Sequence, residues 1–551
     1  MTEELDAQRL VTQGYSPAHY ARKVYLIHLT DDEIQVRQAG ADQTKRGAVA
    51  ALRRTNWQQN GILPLTVFRR LLAYWLEEYF LSKRAAASLA DLNRHQSPLL
   101  AIDLGITYAG FAQLQAHPQL LDLFGLHTPA FAKGAFQRAK THLGDTGASG
   151  PEHWAAAYRH DNLHVLLFAH SNRPEADRFH ELEFAVHKAL GKDLDPDPDP
   201  DPKSRILIAP SLGGEPLKGD WIEQSVRLSK DGTKIHFDMV DNITAPKFEG
   251  LDDVTGVKSF NKHQLGELLL GYSRNDGTNI WRLPHALHQA IGASSPKPKS
   301  ERLAYGEFFK NGTFGAFRKM RQDVDTFNDY LAKTATRYMG GWPPDYTVAW
   351  LKAKMLGRWP NGEPITQADG YPTAKPLASF PPERMKAAYL PKANDNEFGF
   401  EDDPEGLGCP MGAHIRRANP RNDLVGPFIA RPLLRRGTPY DEPGGKDKGL
   451  LGLFFCASLE EQFEHVLGAW MNSSPLRLSS HGFVGKDPLI GNQDGYNAEF
   501  EIPKTSTQKI VLEGIPSFVQ TIGTSYAFFP SIAALRQIAD DTLRSYRQFV
   551  K

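Results

Sequence analysis

The fold that this sequence predicts contains both strands and helices, and three patterns indicate it. KVYLIHL, residues 23–29, is rich in β-branched and aromatic residues, which favours a strand. LLGLFFCAS, residues 450–458, is a continuous apolar run of the kind found in central strands. Five apolar side chains recur at helical spacing and predict an amphipathic helix: Phe317, Met320, Val324, Phe327 and Leu331.

Further elements follow from the same kinds of pattern. The apolar run at residues 162–170 predicts a buried strand, and the alternation of apolar and polar residues predicts a strand within 233–247. Helices are predicted for residues 68–79 and 175–190. Residues 290–302 are rich in Ser, Pro and Lys, which predicts a linker between two halves of the chain.

Length, composition and charge limit the class of protein. The chain has 551 residues, enough for two or three domains, with 41% hydrophobic and 23% charged residues. Lys plus Arg and Asp plus Glu both number 64, so a net charge of zero favours neither nucleic acid nor an anionic membrane as a partner. We find no secretory signal and no apolar run near the ~20 residues of a membrane span, which predicts a cytoplasmic location.

The cysteines and one aspartate-rich segment bear on whether the chain contains disulfides or a calcium site. Cys409 and Cys456 are the two cysteines, so a disulfide framework is excluded and a reducing compartment is favoured. DLDPDPDPDPK, residues 193–203, resembles a calcium loop in its aspartates but lacks the glycine and the final glutamate of an EF-hand. Because alternating prolines disfavour helix and sheet, we interpret this segment as a solvated, extended insertion.

The segment 397–440 holds the densest set of special residues in the chain. His414 lies there among arginines, glycines and prolines. Glycine and proline shape the backbone, and arginine supplies fixed positive charge for anionic groups. A single imidazole in such a frame suits a metal or haem ligand. The alternative is an arginine-rich surface loop with an ordinary histidine.

CPMGAHIRRANPR, residues 409–421, resembles the proximal-haem segment of the dye-decolourising peroxidases, whose typical form is CPxGAHIRRxNPR. The resemblance implies that His414 ligates the haem iron. It also implies that an arginine about twenty residues later, within LRRGTPY, lies above the haem. That arginine is Arg435, although Arg436 follows it directly. Arg416 and Arg417 are expected to pair with haem propionates, or else to form surface ion pairs.

TKIHFDMVDNITAPK, residues 233–247, is similar to the segment that carries the family's Gly-x-x-Asp-Gly motif. The resemblance implies that Asp241 is the distal acid-base residue, whereas the residues alone would suggest an aspartate that ends a strand. Both glycines are replaced, by Asp238 and Asn242. Asparagine tolerates positive φ, so Asn242 is a mild change. Asp238 is expected to add a side chain and a charge beside the site.

The resemblance extends over residues 103–540 with its segments in family order. DLGITYAGFAQL (103–114), LGRWPNGEPI (356–365) and YAFFPSIAALRQIA (526–539) are among the similar pieces. It implies an α+β fold of two ferredoxin-like halves, each an antiparallel sheet with flanking helices, and haem in a pocket of the C-terminal half. The predicted units are an N-terminal region that matches the family poorly (1–95), a half with the distal aspartate (96–293) and a half with the haem-ligand histidine (294–551).

The resemblance implies a haem-dependent peroxidase with an acidic optimum. It would reduce hydrogen peroxide and oxidise an organic, dye-like or phenolic reductant, with Asp241 and Arg435 assisting O–O cleavage. The cofactor would be haem b, since the chain contains no CxxCH for covalent attachment. One alternative is a haem-binding protein with weak or lost turnover because of the altered distal motif. Another is a non-haem metal site at Cys409 and His414, although a structural zinc takes four ligands.

Two points stay open from the sequence. Glu460 and Glu464 share one helical face, and either could accept the second ring N–H of His414, although glutamates on helices are mostly exposed. Homo-oligomer formation is also undecided.

Overall fold

The structure is a computed structural model. It describes residues 6–12, 21–30, 62–77, 100–159, 162–171, 211–212, 215–216, 222–225, 228–229, 232–241, 243–279, 308–338, 343–366, 396–423, 430–441, 447–473, 485–493 and 498–541. The predicted helix 175–190, the Asp-Pro segment 193–203, the linker 290–302 and Asn242 lie outside these residues.

The described strands fall into one large sheet and several short ladders. In chain order they are β1 Ala21–Thr30, β2 Ile62–Pro64, β3 Leu100–Ile106, β4 Val165–Ser171, β5 Ser211–Leu212, β6 Glu215–Pro216, β7 Ile222–Ser225, β8 Leu228–Ser229, β9 Gly232–Ile235, β10 Met239–Val240, β11 Lys247–Phe248, β12 Lys262–His263, β13 Thr313–Gln322, β14 Leu434–Arg435, β15 Thr438–Asp441, β16 Lys448–Cys456, β17 Glu499–Pro503, β18 Lys509–Glu513 and β19 Val519–Phe529.

The described helices pack around this sheet. They are α1 Arg9–Thr12, α2 Leu65–Trp75, α3 Tyr108–Gln113, α4 Pro118–His127, α5 Pro129–Arg138, α6 Val324–Tyr338, α7 Pro344–Leu356, α8 His414–Ala418 and α9 Ile532–Ala539, with two π-helices, Ala139–Leu143 and Leu459–Met471. Single 3₁₀ turns occur at Gly147–Ser149, Pro151–His153, Ala156–Tyr158, Ser259–Asn261 and Leu265–Glu267. Among the helices just named, none is long and apolar enough to cross a bilayer.

The large sheet joins both parts of the chain. Its strand order is β14-β16-β13-β19-β3-β4-β1-β2, with β15 added on β16 and β7 on β1. All of these pairings are antiparallel except that between β1 and β2. The two parts meet where Phe528 of β19 pairs with Ile106 of β3. The mixture of antiparallel strands and separate helices is the predicted α+β class.

Strand β1 shows that residues before 96 belong to this sheet. Val24 of β1 pairs with Phe168 of β4, in the same sheet as β3. The predicted boundary at residue 95 therefore does not separate an N-terminal unit from the first half of the sheet.

The helix predicted through Phe317 and Met320 is wrong in its first part. Both residues lie in strand β13, which is buried along nearly its whole length between β16 and β19. A strand buried on both faces is apolar at many positions and can imitate helical spacing. The helix begins only at Val324, after Asp323 accepts a hydrogen bond from the Thr326 amide.

The strands predicted at residues 23–29, 162–170 and 450–458 correspond to β1, β4 and β16. The strand predicted within 233–247 is instead two short strands, β9 and β10, joined by a tight turn.

Candidate functional site

His414 is the first residue of the short helix α8, and its ring is held from one side. Its Nδ1 lies 2.9 Å from Oδ2 of Asp487. The other carboxylate oxygen of Asp487 accepts hydrogen bonds from the amides of Leu489 and Ile490, at 2.9 Å each. Asp487 is completely buried. Burial opposes its ionisation, but His414, the Ile490 amide and Arg417 outweigh burial and hold the pKa of Asp487 below its ordinary value.

This contact determines which ring nitrogen of His414 can bind a ligand. An ionised carboxylate only accepts hydrogen bonds, so Nδ1 carries the proton and Nε2 keeps its lone pair. The His414 side chain is 20% exposed, whereas that of Asp487 is 0% exposed. A histidine held this way by a buried carboxylate has the arrangement typical of a metal ligand.

The two glutamates that the sequence offered as partners of His414 are engaged elsewhere. Glu460 accepts a hydrogen bond from the Ala130 amide. Glu464 is paired with Arg138 and accepts the hydroxyl of Tyr526 at 2.9 Å. The prediction of Glu460 or Glu464 is therefore wrong, and Asp487 takes this place. Asp487 follows His414 by 73 residues, and no spacing rule in the sequence connects the two.

Arg416 and Arg417 are buried inside the motif. Arg416 donates to Asp423 at 2.7 Å and to the Cys409 carbonyl at 2.8 Å. Arg417 donates to the carbonyl oxygens of Trp470 and Gly485. Neither guanidinium has any exposed surface. These contacts give both arginines a part in folding the motif and exclude surface ion pairs, while the pairing of Arg416 and Arg417 with haem propionates stays a prediction.

Cys409 is also a structural residue. Its amide donates to Asp403 at 2.8 Å. Burial, with a smaller contribution from the Asp403 charge, raises the pKa of the Cys409 thiol to about 12 despite the opposing effect of Arg416. A thiol with such a pKa does not supply the thiolate that a metal would require. In the described part of the chain, no cluster of three or more His, Cys, Asp or Glu could hold a metal ion.

Asp241 and Arg435 are brought together from segments that are 194 residues apart. Nη2 of Arg435 lies 3.4 Å from Oδ1 of Asp241 and 3.3 Å from the Thr244 carbonyl oxygen. The side chain of Arg435 is 34% exposed, and that of Asp241 is 24% exposed. Arg436 points away, because its Nε donates to the Leu10 carbonyl at 2.9 Å. The arginine beside the aspartate is therefore Arg435 and not its neighbour.

Asp238 lies on the turn between β9 and β10, and its side chain is exposed. The backbone there has φ 58°, and the Asp238 amide donates to the Ile235 carbonyl at 3.0 Å. A turn with this left-handed residue favours glycine, and aspartate is among the few other residues that accept it. The side chain expected to crowd the site points to solvent instead.

The turn 357–362 connects the segment of His414 with that of Asp241. Gly357 has φ +99° and lies so close to Cys409 that an added Cβ would be 3.1 Å from its Sγ. At the other end, Gly362 has φ +96° and leaves no room for a Cβ beside Ile243. Arg358 donates to Oγ1 of Thr244 at 3.2 Å. The two segments are thus fixed relative to each other by one tightly packed turn.

No family model matches the chain. Peroxidase 2 of Mycetinis scorodonius is 25% identical over 466 residues, which cover 80% of this chain and 76% of that protein. A dye-decolorizing peroxidase of Exidia glandulosa is 30% identical over 236 residues, 41% of this chain and 44% of the relative.

Solved structures share the fold along nearly the whole length. A fungal DyP-type peroxidase from Auricularia auricula-judae has a TM-score of 0.65 at 19% identity and covers 98% of this chain and 99% of its own. A dye-decolorizing peroxidase in complex with 2,6-dimethoxyphenol has a TM-score of 0.65 at 21% identity, over 97% and 99% of the two chains. By sequence similarity and by fold, the chain resembles the dye-decolourising peroxidases.

This similarity to dye-decolourising peroxidases confirms the resemblance that the sequence predicted and supports the peroxidase class and the α+β fold. The relatives support a peroxidase that uses haem. The sequence matches to the relatives from Exidia and Auricularia span slightly less than half of each, 44% and 46%.

Proposed function

We propose that the chain is a haem b peroxidase that reduces hydrogen peroxide and oxidises a small organic reductant of the dye or phenol type. In this proposal the sheet comprises two ferredoxin-like halves, and the haem pocket belongs to the C-terminal half. His414 is the iron ligand, and Asp241 and Arg435 act on peroxide. The observation that carries the proposal is the approach of Arg435 to Asp241, at 3.4 Å, from distant parts of the chain.

The residues around His414 fit haem. The structure offers one imidazole with its Nδ1 committed to Asp487 and its Nε2 available. Burial raises the pKa of the Cys409 thiol, which disfavours the thiolate that would compete with His414 as a ligand. A histidine as proximal ligand with an open position opposite is the arrangement of haem peroxidases. Haem, when bound, supplies the redox-active iron that peroxide oxidises and that the organic reductant restores.

Asp241 handles the proton of the reaction. Its carboxylate would accept a proton from one oxygen of hydrogen peroxide and return it to the other oxygen, the one that departs as water. The Arg435 side chain is 34% exposed, and its guanidinium stabilises the negative charge that develops on the departing oxygen. Its contacts with Asp241 and Thr244 orient the guanidinium toward the carboxylate.

The structure describes one of the two motif changes that suggested weak turnover, the change at Asp238. Asp238 is exposed on the turn between β9 and β10. Asp241 itself faces Arg435. We therefore favour an active peroxidase over a haem-binding protein without turnover.

The test is peroxide-dependent oxidation of a phenolic dye by the haem-loaded full-length protein. Wild type should turn over, and D241N should lose about 10² to 10⁴ in rate constant, the usual contribution of a general acid-base. D252N is the matched control, since Asp252 accepts hydrogen bonds from Lys247 and the Phe248 amide and does not contact Arg435 in the described structure. Equal rates for wild type and D241N would contradict the assignment of Asp241.

A further inference from the structure

Arg435 lies on a strand that receives little support from the sheet. Strand β14 is two residues long and is the terminal strand in the order of the sheet. Its backbone is held by pairing with Phe454 and Phe455 of β16 and by the Arg436 amide, which donates to Leu453 at 2.8 Å. The side-chain contacts of Arg435 are long, at 3.3 and 3.4 Å. On a short terminal strand with such long contacts, the orientation of the Arg435 side chain depends on the neighbouring residues.

The neighbouring residue points to the other side of the strand and is held firmly. Arg436 donates from Nε to the Leu10 carbonyl at 2.9 Å and from Nη2 to the Val11 carbonyl at 3.2 Å. These carbonyls belong to α1, a single turn whose last C=O groups lack partners within the helix. The positively charged guanidinium of Arg436, near the C-terminus of this turn, is a favourable partner for these carbonyl groups.

The turn that receives Arg436 is itself tied to the core. We call residues 6–12 the N-terminal segment. Gln8, 1% exposed, exchanges hydrogen bonds with the backbone of Leu104, at 2.8 and 2.7 Å, and donates to Pro530. The Leu10 amide donates to Asp103 at 2.9 Å. The segment is therefore fixed to β3 and to the end of β19, near the point where the two parts of the sheet meet.

We infer that Arg436 and the N-terminal segment position the guanidinium of Arg435 for its reaction with peroxide. The inference rests on the proposed function and assigns a role to a part of the chain outside the motifs. Because consecutive residues of a strand point to opposite faces, an anchor on Arg436 fixes the rotation of the strand about its axis. Arg436 is thus a positioning residue that acts through Arg435 and does not touch peroxide.

The experiment compares R436M, R436K and R435A with wild type, all full length and haem-loaded, in the rate constant for reaction with hydrogen peroxide. R435A should lose about 10² to 10³. R436M should lose about tenfold, because a small misplacement of a catalytic group is costly, and R436K, which keeps the charge but not the fork, should fall between R436M and wild type. R159M is the control, since Arg159 also donates to a backbone carbonyl, that of Trp154, away from the site.

Two further measurements separate positioning from general damage. In an R435A background, R436M should change the rate by less than about twofold, since residues that act through one group are not additive. In the haem-free protein, hydrogen exchange of residues 433–437 should accelerate in R436M and stay unchanged in R159M. An unchanged exchange in R436M, or an undiminished R436M effect in the R435A background, would overturn the positioning role. A wild type that does not react with peroxide would instead overturn the proposed function.

Discussion

Asp487 holds His414 through Nδ1 at a distance of 2.9 Å, and its second oxygen is held by two backbone amides. The carboxylate has no freedom to turn away, so the imidazole keeps one tautomer and one orientation. The lone pair of Nε2 is therefore presented in a fixed direction before any cofactor arrives.

The contact between Asp487 and His414 predicts an effect on haem affinity. D487N replaces an acceptor-only group with an amide that can also donate, which removes the preference for the Nδ1–H tautomer. We expect haem to bind about 10 to 100 times more weakly. Titration of the apoprotein with haem, followed by absorbance, measures this. E464Q serves as the control, because Glu464 pairs with Arg138 and is expected to leave haem affinity unchanged. Equal affinities for D487N and E464Q would refute the role of Asp487.

The left-handed backbone conformation at Asp238 predicts that the aspartate there has little effect on the rate of reaction with peroxide. D238G restores, at an exposed position, the glycine that the turn favours at φ 58°. The rate constant with peroxide should change by less than about twofold, as for most exposed positions. Stopped-flow kinetics measure it. A gain of tenfold or more would show that the aspartate does obstruct the site and would revive the idea of a weakened enzyme.

The conformation of Gly362 predicts that the turn 357–362 contributes to stability and to the rate of reaction with peroxide. Its φ of +96° is unfavourable for alanine, and an added Cβ would collide with Ile243. G362A should therefore lower the free energy of unfolding by about 1 to 3 kcal/mol, the usual cost of such a backbone position. It should also reduce the rate with peroxide, because Ile243 is close to Asp241 in sequence. Gly256, with φ +75° and open space around its Cβ position, gives the control variant G256A, which carries the strain without the collision. If both variants behaved alike, packing of the turn would not contribute.

Asp103 predicts a pH-dependent stability. Burial raises the pKa of this completely buried carboxyl from 3.8 to about 6, against the opposing effects of the Leu10 amide, Arg9 and Arg436. Between these two pH values the folded protein retains a proton that the unfolded chain releases. The contribution of Asp103 to the free energy of unfolding therefore falls by up to about 3 kcal/mol as pH rises from about 4 to about 6. It is constant at higher pH.

Denaturant unfolding of wild type and D103N between pH 4 and pH 7 checks this. The variant keeps an acceptor for the Leu10 amide but has no charge to lose. The difference between the two proteins should shrink toward low pH, where both side chains are neutral. A constant difference over this range would show that the Asp103 carboxyl titrates normally.

The sequence predicted the residues of motifs better than the residues that support them. His414, Asp241 and Arg435 were proposed as site residues because they lie within similar segments, and the structure brings Asp241 to Arg435. Asp487 was missed, since its role depends on a contact between segments 73 residues apart. Arg416 and Arg417 were expected to pair with haem propionates or to form surface ion pairs, and their burial among protein oxygens contradicts only the surface ion pairs.

The same distinction applies to the fold. Apolar runs predicted β4 and β16, but Phe317 and Met320 were assigned to a helix because β13 is buried on both faces and lacks a simple alternation. The contribution of β1 to the first part of the sheet was also missed, since pairing partners in a sheet cannot be deduced from a segment alone.

The most direct test of the account is the absorbance spectrum of haem bound to wild type and to H414A. His465 provides the control H465A, since it contacts Trp470 and has no contact with Asp487 in the described structure. We predict that wild type and H465A share one spectrum, that H414A loses it, and that added imidazole restores it to H414A by replacing the missing ring. A wild-type spectrum in H414A without imidazole would contradict the assignment of His414 as the ligand of the haem iron.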